Sequence, residues 1–178
     1  MSSLLAAAAL AEPSQASAST GGNPVFQQQA RRLGLTAAET HSMQSRVDAY
    51  INKAGGTQVD INKIKLDDQG SYALLPLPGE KKARDLSAAA GGSYRGCPYY
   101  YFCMWQSVTF EGTMNYYTKC GIDWPVYWSG YGSWVNNQTP GTRVQFKDID
   151  YVTRWTDAGA RSEDDSADWT WVYQLQIC

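Results

Sequence analysis

The period of the apolar positions changes along the chain. Residues 4–18, LLAAAALAEPSQASA, carry a short apolar run and a polar break at Glu12-Pro13. Ala16-Ser17-Ala18 follows as a small-x-small cleavage site, so 1–18 read as a secretory signal. No basic n-region precedes Leu4, so the leader reads as truncated, and the run is too short for a transmembrane helix. The Gln-rich stretch from Ser19 to Arg32 has no period and reads as part of a linker over 19–33.

A helical period then sets in, and 34–90 read as a helix-plus-hairpin unit. Thr36-Ala37-Ala38-Glu39 matches a capping box, in which hydroxyl and carboxylate satisfy each other's backbone amides. Met43, Val47, Tyr50, Ile51 and Ala54 fall on one face, and Gly55-Gly56 stops the helix. Thr57–Leu66 and Ser71–Leu77 read as two strands around the turn cluster Asp67-Asp68-Gln69-Gly70, with Pro76 ending the second or placing it at an edge. A unit this small buries little core alone and should dock on the rest of the chain or on another chain. Glu80–Ala90 has modest helical character, and Gly91-Gly92 marks a boundary.

Beyond Tyr94 short aromatic and β-branched runs alternate with turn residues: Tyr99–Trp105, Thr113–Thr118, Gly132–Val135, Arg143–Lys147, Tyr151–Trp155 and Trp169–Ile177. This predicts an all-β sandwich over 91–178. Trp169–Ile177 alternates strictly and reads as one strand with Trp169, Trp171, Tyr173, Leu175 and Ile177 on one face.

Composition narrows the class. Formal net charge is −2 with 18% charged residues, and carboxylates outnumber Lys and Arg beyond Tyr94. That balance argues against nucleic acid or an anionic membrane as partner. The 4 cysteines, Cys97, Cys103, Cys120 and Cys178, allow three pairings in an exported chain. The favoured pairing is Cys97–Cys103 and Cys120–Cys178, the second closing a loop of about 60 residues worth roughly 4 kcal/mol. No CxxC pair supports a zinc site, and no metal or cofactor is expected. His41, the 1 histidine, reads as a solvated residue near the polar side of the helix. Neither G-x-S-x-G nor H-E-x-x-H accompanies it, so no enzymatic role is expected.

Cys97–Gly112, CPYYYFCMWQSVTFEG, together with Ser133-Trp134-Val135-Asn136-Asn137, resembles the secreted peptidase-inhibitor family typified by a small bacterial metalloproteinase inhibitor. Gly55–Val59 and Leu75–Glu80 are similar to the leader of its longer members, so the resemblance spans 34–178. It implies a β/γ-crystallin-like Greek-key sandwich carrying the helix-plus-hairpin appendage, and a secreted inhibitor acting on a peptidase partner. The sequence departs from the pattern twice. Trp105, Phe110 and Gly112 give the aromatic–aromatic–glycine spacing, but the second repeat, Phe146 and Tyr151, has Thr153 in the glycine place and must turn differently. Trp128 and Ser129 stand where the calcium-binding relatives of this fold carry an acidic pair, and no calcium site is expected.

Tyr99, Tyr100 and Tyr101 inside the Cys97–Cys103 ring are the inhibitor-like feature, since a disulfide-held loop loses little entropy on docking. The competing reading makes them the first β-strand. Trp124, Tyr127 and Trp128 in DWPVYWSGYG are the second candidate group, suited to a protein or carbohydrate interface if exposed together. Glu163-Asp164-Asp165 with Asp168 reads as a solvated loop. Two further classes remain open: an adaptor subunit of a secreted or toxin assembly, engaged through the helix-plus-hairpin unit, and an antimicrobial or glycan-binding protein.

Overall fold

The computed structural model describes residues 23–87 and 92–178. The leader expected at 1–18, the start of the linker and Gly91 of the expected boundary lie outside these residues. The first element corrects the linker reading. Helix α1 spans Pro24–Arg32, with the Asn23 side chain accepting from the Val25 amide and Pro24 in its first turn. Asn-Pro ahead of a segment closed by Gly34 is a helix-start signal that the lack of apolar period hides.

Helix α2 spans Ala37–Ala54, and its capping box is formed as expected. The Glu39 amide donates to Thr36 Oγ1 at 3.2 Å and the Thr36 amide to Glu39 Oε2 at 2.8 Å. The Thr36 amide and the Thr36 hydroxyl, which donates to the same Oε2 at 2.8 Å, hold the Glu39 pKa below its ordinary value. Met43 and Val47 are fully buried, while His41 is exposed. Thr57–Leu66 is two strands instead of one: β1 (Thr57–Asp60) and β2 (Lys63–Lys65) turn at Ile61-Asn62, and β3 (Tyr72–Leu74) follows. Residues 80–87 form no helix; Lys82 makes a parallel bridge to Gly112.

The C-terminal half supplies ten strands: β4 (Ser93–Tyr94), β5 (Cys97–Pro98), β6 (Phe102–Ser107), β7 (Glu111–Tyr117), β8 (Asp123–Pro125), β9 (Tyr131–Asn136), β10 (Gln145–Lys147), β11 (Thr153–Thr156), β12 (Ser162–Asp168) and β13 (Gln174–Gln176). The described residues are thus mostly antiparallel β with two helices. One sheet runs β1-β2-β3-β7-β6-β9-β12, a second runs β11-β10-β13-β8, and β4-β5 form a small ribbon. Strand β8 sits with β10, β11 and β13, whereas β12 sits with β6, β7 and β9, so the two halves exchange a strand.

The helix-plus-hairpin unit docks on its own chain by sheet extension. Tyr72, Ala73 and Leu74 of β3 pair with Tyr116, Asn115 and Met114 of β7. Tyr50 on α2 seals the joint: its hydroxyl donates to Asn115 Oδ1 at 2.9 Å, and burial pushes the phenol well above its ordinary pKa.

Strand β6 is buried on both faces, and its alternation distributes two cores. Phe102 and Met104 enter the core between the sheets, where they meet Trp134, Phe146, Trp169 and Leu175. Cys103 and Trp105 enter the opposite layer with Leu74, Phe110, Met114 and Val135. A third cluster joins α1 and α2 to Ile61, Ile64, Ala73, Leu75 and Leu77.

The β6–β7 connection is a folded hairpin in which Trp105 and Phe110 meet edge to face at 5.3 Å. Ser133, wholly buried, accepts from the Phe110 amide at 2.9 Å and donates to the Ser107 carbonyl at 2.8 Å. Gly112 has φ +81, and a Cβ there would lie 2.9 Å from Ser107 Oγ, so a side chain would be strained in backbone and would have to displace the Ser107 hydroxyl.

Two further sequence readings are corrected. Trp169–Ile177 is not a continuous strand: the Val172 amide donates to the Trp169 carbonyl at 3.3 Å in a turn, and only Gln174–Gln176 pair. Val172 takes a buried place and Tyr173, expected inward, is 49% exposed. The acidic run is β12, an edge strand paired with β9, rather than a loop. Asp164, Asp165 and Asp168 face solvent and blunt the open edge, while Glu163 is half-buried and Ala167 buried.

Both favoured disulfides, Cys97–Cys103 and Cys120–Cys178, are present. No described helix is long and apolar enough to cross a membrane.

Candidate functional site: the Cys97–Cys103 loop

The three tyrosines do not form a strand. Strand β6 begins at Phe102, and Tyr99 and Tyr100 occupy a turn inside the disulfide ring. Tyr100 adopts φ +75, which a bulky residue holds only when its surroundings impose it. Here they do. The Tyr100 amide donates to the Asn137 carbonyl at 2.8 Å, and the Asn137 amide donates to the Tyr101 carbonyl at 2.9 Å. The Asn137 side-chain amide, buried, donates to the carbonyls of Cys97 at 3.0 Å and Pro98 at 3.2 Å. Disulfide and asparagine together fix the loop from both sides.

Its side chains divide by role. Tyr100 is 69% exposed and Tyr99 44%. Tyr99 lies over Gly92, where a Cβ would come within 2.0 Å of the ring. Tyr101 turns inward and meets Tyr116 edge to face at 5.2 Å; burial raises its pKa. The Tyr99–Tyr100 pair is therefore the part of the loop available to a partner.

Arginines flank the pair. The Arg161 guanidinium lies over the Tyr94 ring at 5.2 Å and the Tyr99 ring at 5.8 Å. Arg95 lies over Tyr94 and Phe110, and its Nε and Nη2 reach the Glu163 carboxylate at 3.1 and 3.2 Å, which raises the Arg95 pKa. The segment carrying Arg161 is anchored by Asp157, a buried carboxylate that accepts from the amides of Val144 and Gly159, from Asn136 Nδ2 and from the Ser162 hydroxyl. The Ala160 amide also donates to the Thr142 carbonyl at 2.9 Å. Neither Arg161 nor Asn137 stands out as a site residue in the sequence, because 40 positions separate Asn137 from the Cys97 it holds.

The second candidate group is only partly accessible. Trp124, on β8, is a core residue: it is 9% exposed, its ring packs tilted against Tyr117 at 4.5 Å and its indole N–H donates to the Lys119 carbonyl at 3.2 Å. It is not available to a partner. Tyr127 and Trp128 are half-buried and line a separate cleft of about 360 Å³ with Lys53, Ser129, Thr170 and Tyr173. Burial raises the Tyr127 pKa, and its hydroxyl points to the Ala54 carbonyl at 3.5 Å. No described residue lines both this cleft and the one beside Tyr99 and Tyr100. The six candidates thus separate into a rigid loop, a core tryptophan and a cleft.

No family model, curated protein or solved structure matches the chain.

Proposed function

We propose that this protein is a secreted binding module that occludes the cleft of a secreted peptidase with its Cys97–Cys103 loop, on a β/γ-crystallin-like Greek-key scaffold. The observation that carries the reading is the exposure of Tyr99 and Tyr100 on a backbone already fixed by the disulfide and by Asn137. Ordering a loop commonly costs a binding partner part of its affinity, and this loop is ordered beforehand. Tyrosine and arginine are also the side chains that dominate binding at protein interfaces.

Support for the scaffold comes from the exchange of β8 and β12 between the sheets. It comes too from the repeat positions, since Phe110 and Tyr151, each five residues after an inward aromatic, have φ +60 and +63. Export accords with the two disulfides.

The test is inhibition. Oxidised protein at micromolar concentration should slow at least one member of a panel of secreted metallo- and serine peptidases, and Tyr99→Ser/Tyr100→Ser should lose that effect while keeping its melting temperature. A panel left at full rate removes the reading.

A second reading, glycan binding, is favoured by the cleft that Tyr127, Trp128 and Tyr173 line together with Ser129 and Thr170. Its test is tryptophan fluorescence on titration with solubilised cell-wall polysaccharide, and an unchanged spectrum removes it. For the adaptor reading, the β3 edge of the helix-plus-hairpin unit is already paired with β7 of its own chain.

A further inference from the structure

We propose that Arg161 is a carboxylate anchor beside the docking loop. A partner segment would lay an apolar side chain against Tyr100 and place an adjacent Asp or Glu side chain on the Arg161 guanidinium. This rests on the reading of Tyr99 and Tyr100 as the docking surface, and it names the chemistry of what docks there.

Charge around Tyr94 is the first ground. Arg95 and Arg161 both lie over that ring, yet one carboxylate, Glu163, serves them, and it is engaged by Arg95 through two hydrogen bonds. Arg161 has no ion-pair partner among the described residues. Two guanidinium groups thus share one paired carboxylate, and Arg161 keeps its charge unpaired among the described residues, in a chain whose formal net charge is −2. A carboxylate from outside would complete the arrangement that Glu163 begins.

Geometry is the second ground. The Arg161 guanidinium carbon lies over the Tyr94 ring at 5.2 Å and over the Tyr99 ring at 5.8 Å. A guanidinium drawn to aromatic rings keeps its fork of N–H donors, through which arginine binds a carboxylate with two parallel hydrogen bonds. The side chain is also pre-positioned, since rings hold it from above and Asp157 and the Ala160–Thr142 bond hold its backbone. Ordering a free arginine on binding would cost entropy that is already spent here.

Room is the third ground. Arg161 lines a cleft of about 350 Å³ with Tyr99, Tyr100, Gln138 and Pro140. That lies in the size range of sites that take small ligands, and it joins apolar surface to a single charged group. An acidic side chain following an apolar one fits this combination, whereas a basic segment would meet the unpaired charge unfavourably.

Two peptides differing only in charge test the proposal: acetyl-Leu-Glu-amide and acetyl-Leu-Gln-amide, titrated to millimolar concentration into isotope-labelled, oxidised full-length protein and followed by NMR. The acidic peptide should shift the Arg161 Nε–Hε signal and the amides of Tyr99 and Tyr100. It should bind about five-fold more tightly than the neutral one, the upper range for an exposed ion pair. Arg161→Gln should abolish that preference, and an unchanged spectrum elsewhere would verify its fold. Gly92→Ala, which displaces the Tyr99 ring, should reduce the preference with the guanidinium still present. Equal affinity for the two peptides, binding of neither, or shifts confined to other residues would overturn the anchor. Equal binding with shifts at Tyr99 and Tyr100 would overturn the anchor alone and leave the docking loop standing. A charge preference at Arg161 that survives Tyr99→Ser/Tyr100→Ser would instead overturn the docking reading.

Discussion

Asn137→Ala isolates the device that holds the candidate loop. The side chain is 3% exposed and donates to two carbonyls, Cys97 at 3.0 Å and Pro98 at 3.2 Å. Each bond contributes about 1 kcal/mol net, and leaving a buried carbonyl unpaired raises the cost towards ~1–3 kcal/mol. Partial solvation at half-buried Pro98 offsets part of this, so the expected loss is about 2–3 kcal/mol. For a chain of this size that lowers the melting temperature by roughly 5–10 °C. The backbone bonds through residue 137 survive, so the fold persists. The positive φ at Tyr100 then loses part of what imposes it, and exchange at the Tyr100 and Tyr101 amides should accelerate more than in β6. Asn137→Asp would place a carboxylate against the same two carbonyls, and it should cost more than alanine at neutral pH. Urea unfolding of the oxidised protein with hydrogen exchange measures both effects. A change below about 0.5 kcal/mol for Asn137→Ala, the range of ordinary surface substitutions, would refute the pinning argument.

The remaining predictions concern the disulfides and acid. Cys120–Cys178 spans 58 positions and Cys97–Cys103 only 6, so loop entropy assigns them about 4 and about 2 kcal/mol. Paired Cys→Ser variants in denaturant should keep that order, and the reverse order would show that the short ring stabilises by more than entropy. Burial opposes the charge on Asp85, but the hydrogen bonds it accepts from Lys63 Nζ and from the Ser87 amide and hydroxyl outweigh it, so its pKa lies below the ordinary carboxylate value. A lowered folded-state pKa gives stability that is complete above the unfolded value, about 4, and is lost as pH falls through the folded one. Unfolding free energy should therefore drop below about pH 4, and less steeply in Asp85→Asn; identical acid profiles would exclude Asp85 as a contributor.

What the sequence discloses follows from how local each signal is. Helix α2 is legible because cap, periodic face and terminating glycine all lie within its own span. The hairpin at Trp105, Phe110 and Gly112 is legible because φ +81 strains any residue but glycine. Strand β12 is not: as an edge strand it buries only Ala167, so SEDDSAD carries no apolar alternation to mark it. Trp169–Ile177 misleads in the other sense, since its alternation is interrupted by a turn whose bonds run to Gly130 and Lys147, far away in sequence. The loop tyrosines are recognisable as candidates, but their role depends on Asn137 and Arg161, which reach them through tertiary contacts. The same holds for Trp124, whose burial is set by Tyr117 on β7 and by its place on β8.

The pairing of β3 with β7 has a consequence for how the protein withstands cutting. That ladder, the Tyr50–Asn115 bond and the Leu74 and Met114 packing join the two halves of the chain independently of the peptide link between Ser87 and Gly92. A protease acting on that link after folding would sever the backbone without releasing either fragment. The nicked protein would run as two bands on a denaturing gel and as one particle in solution. For a protein proposed to meet peptidases, halves joined by a strand ladder as well as by the backbone make a single cut between them survivable.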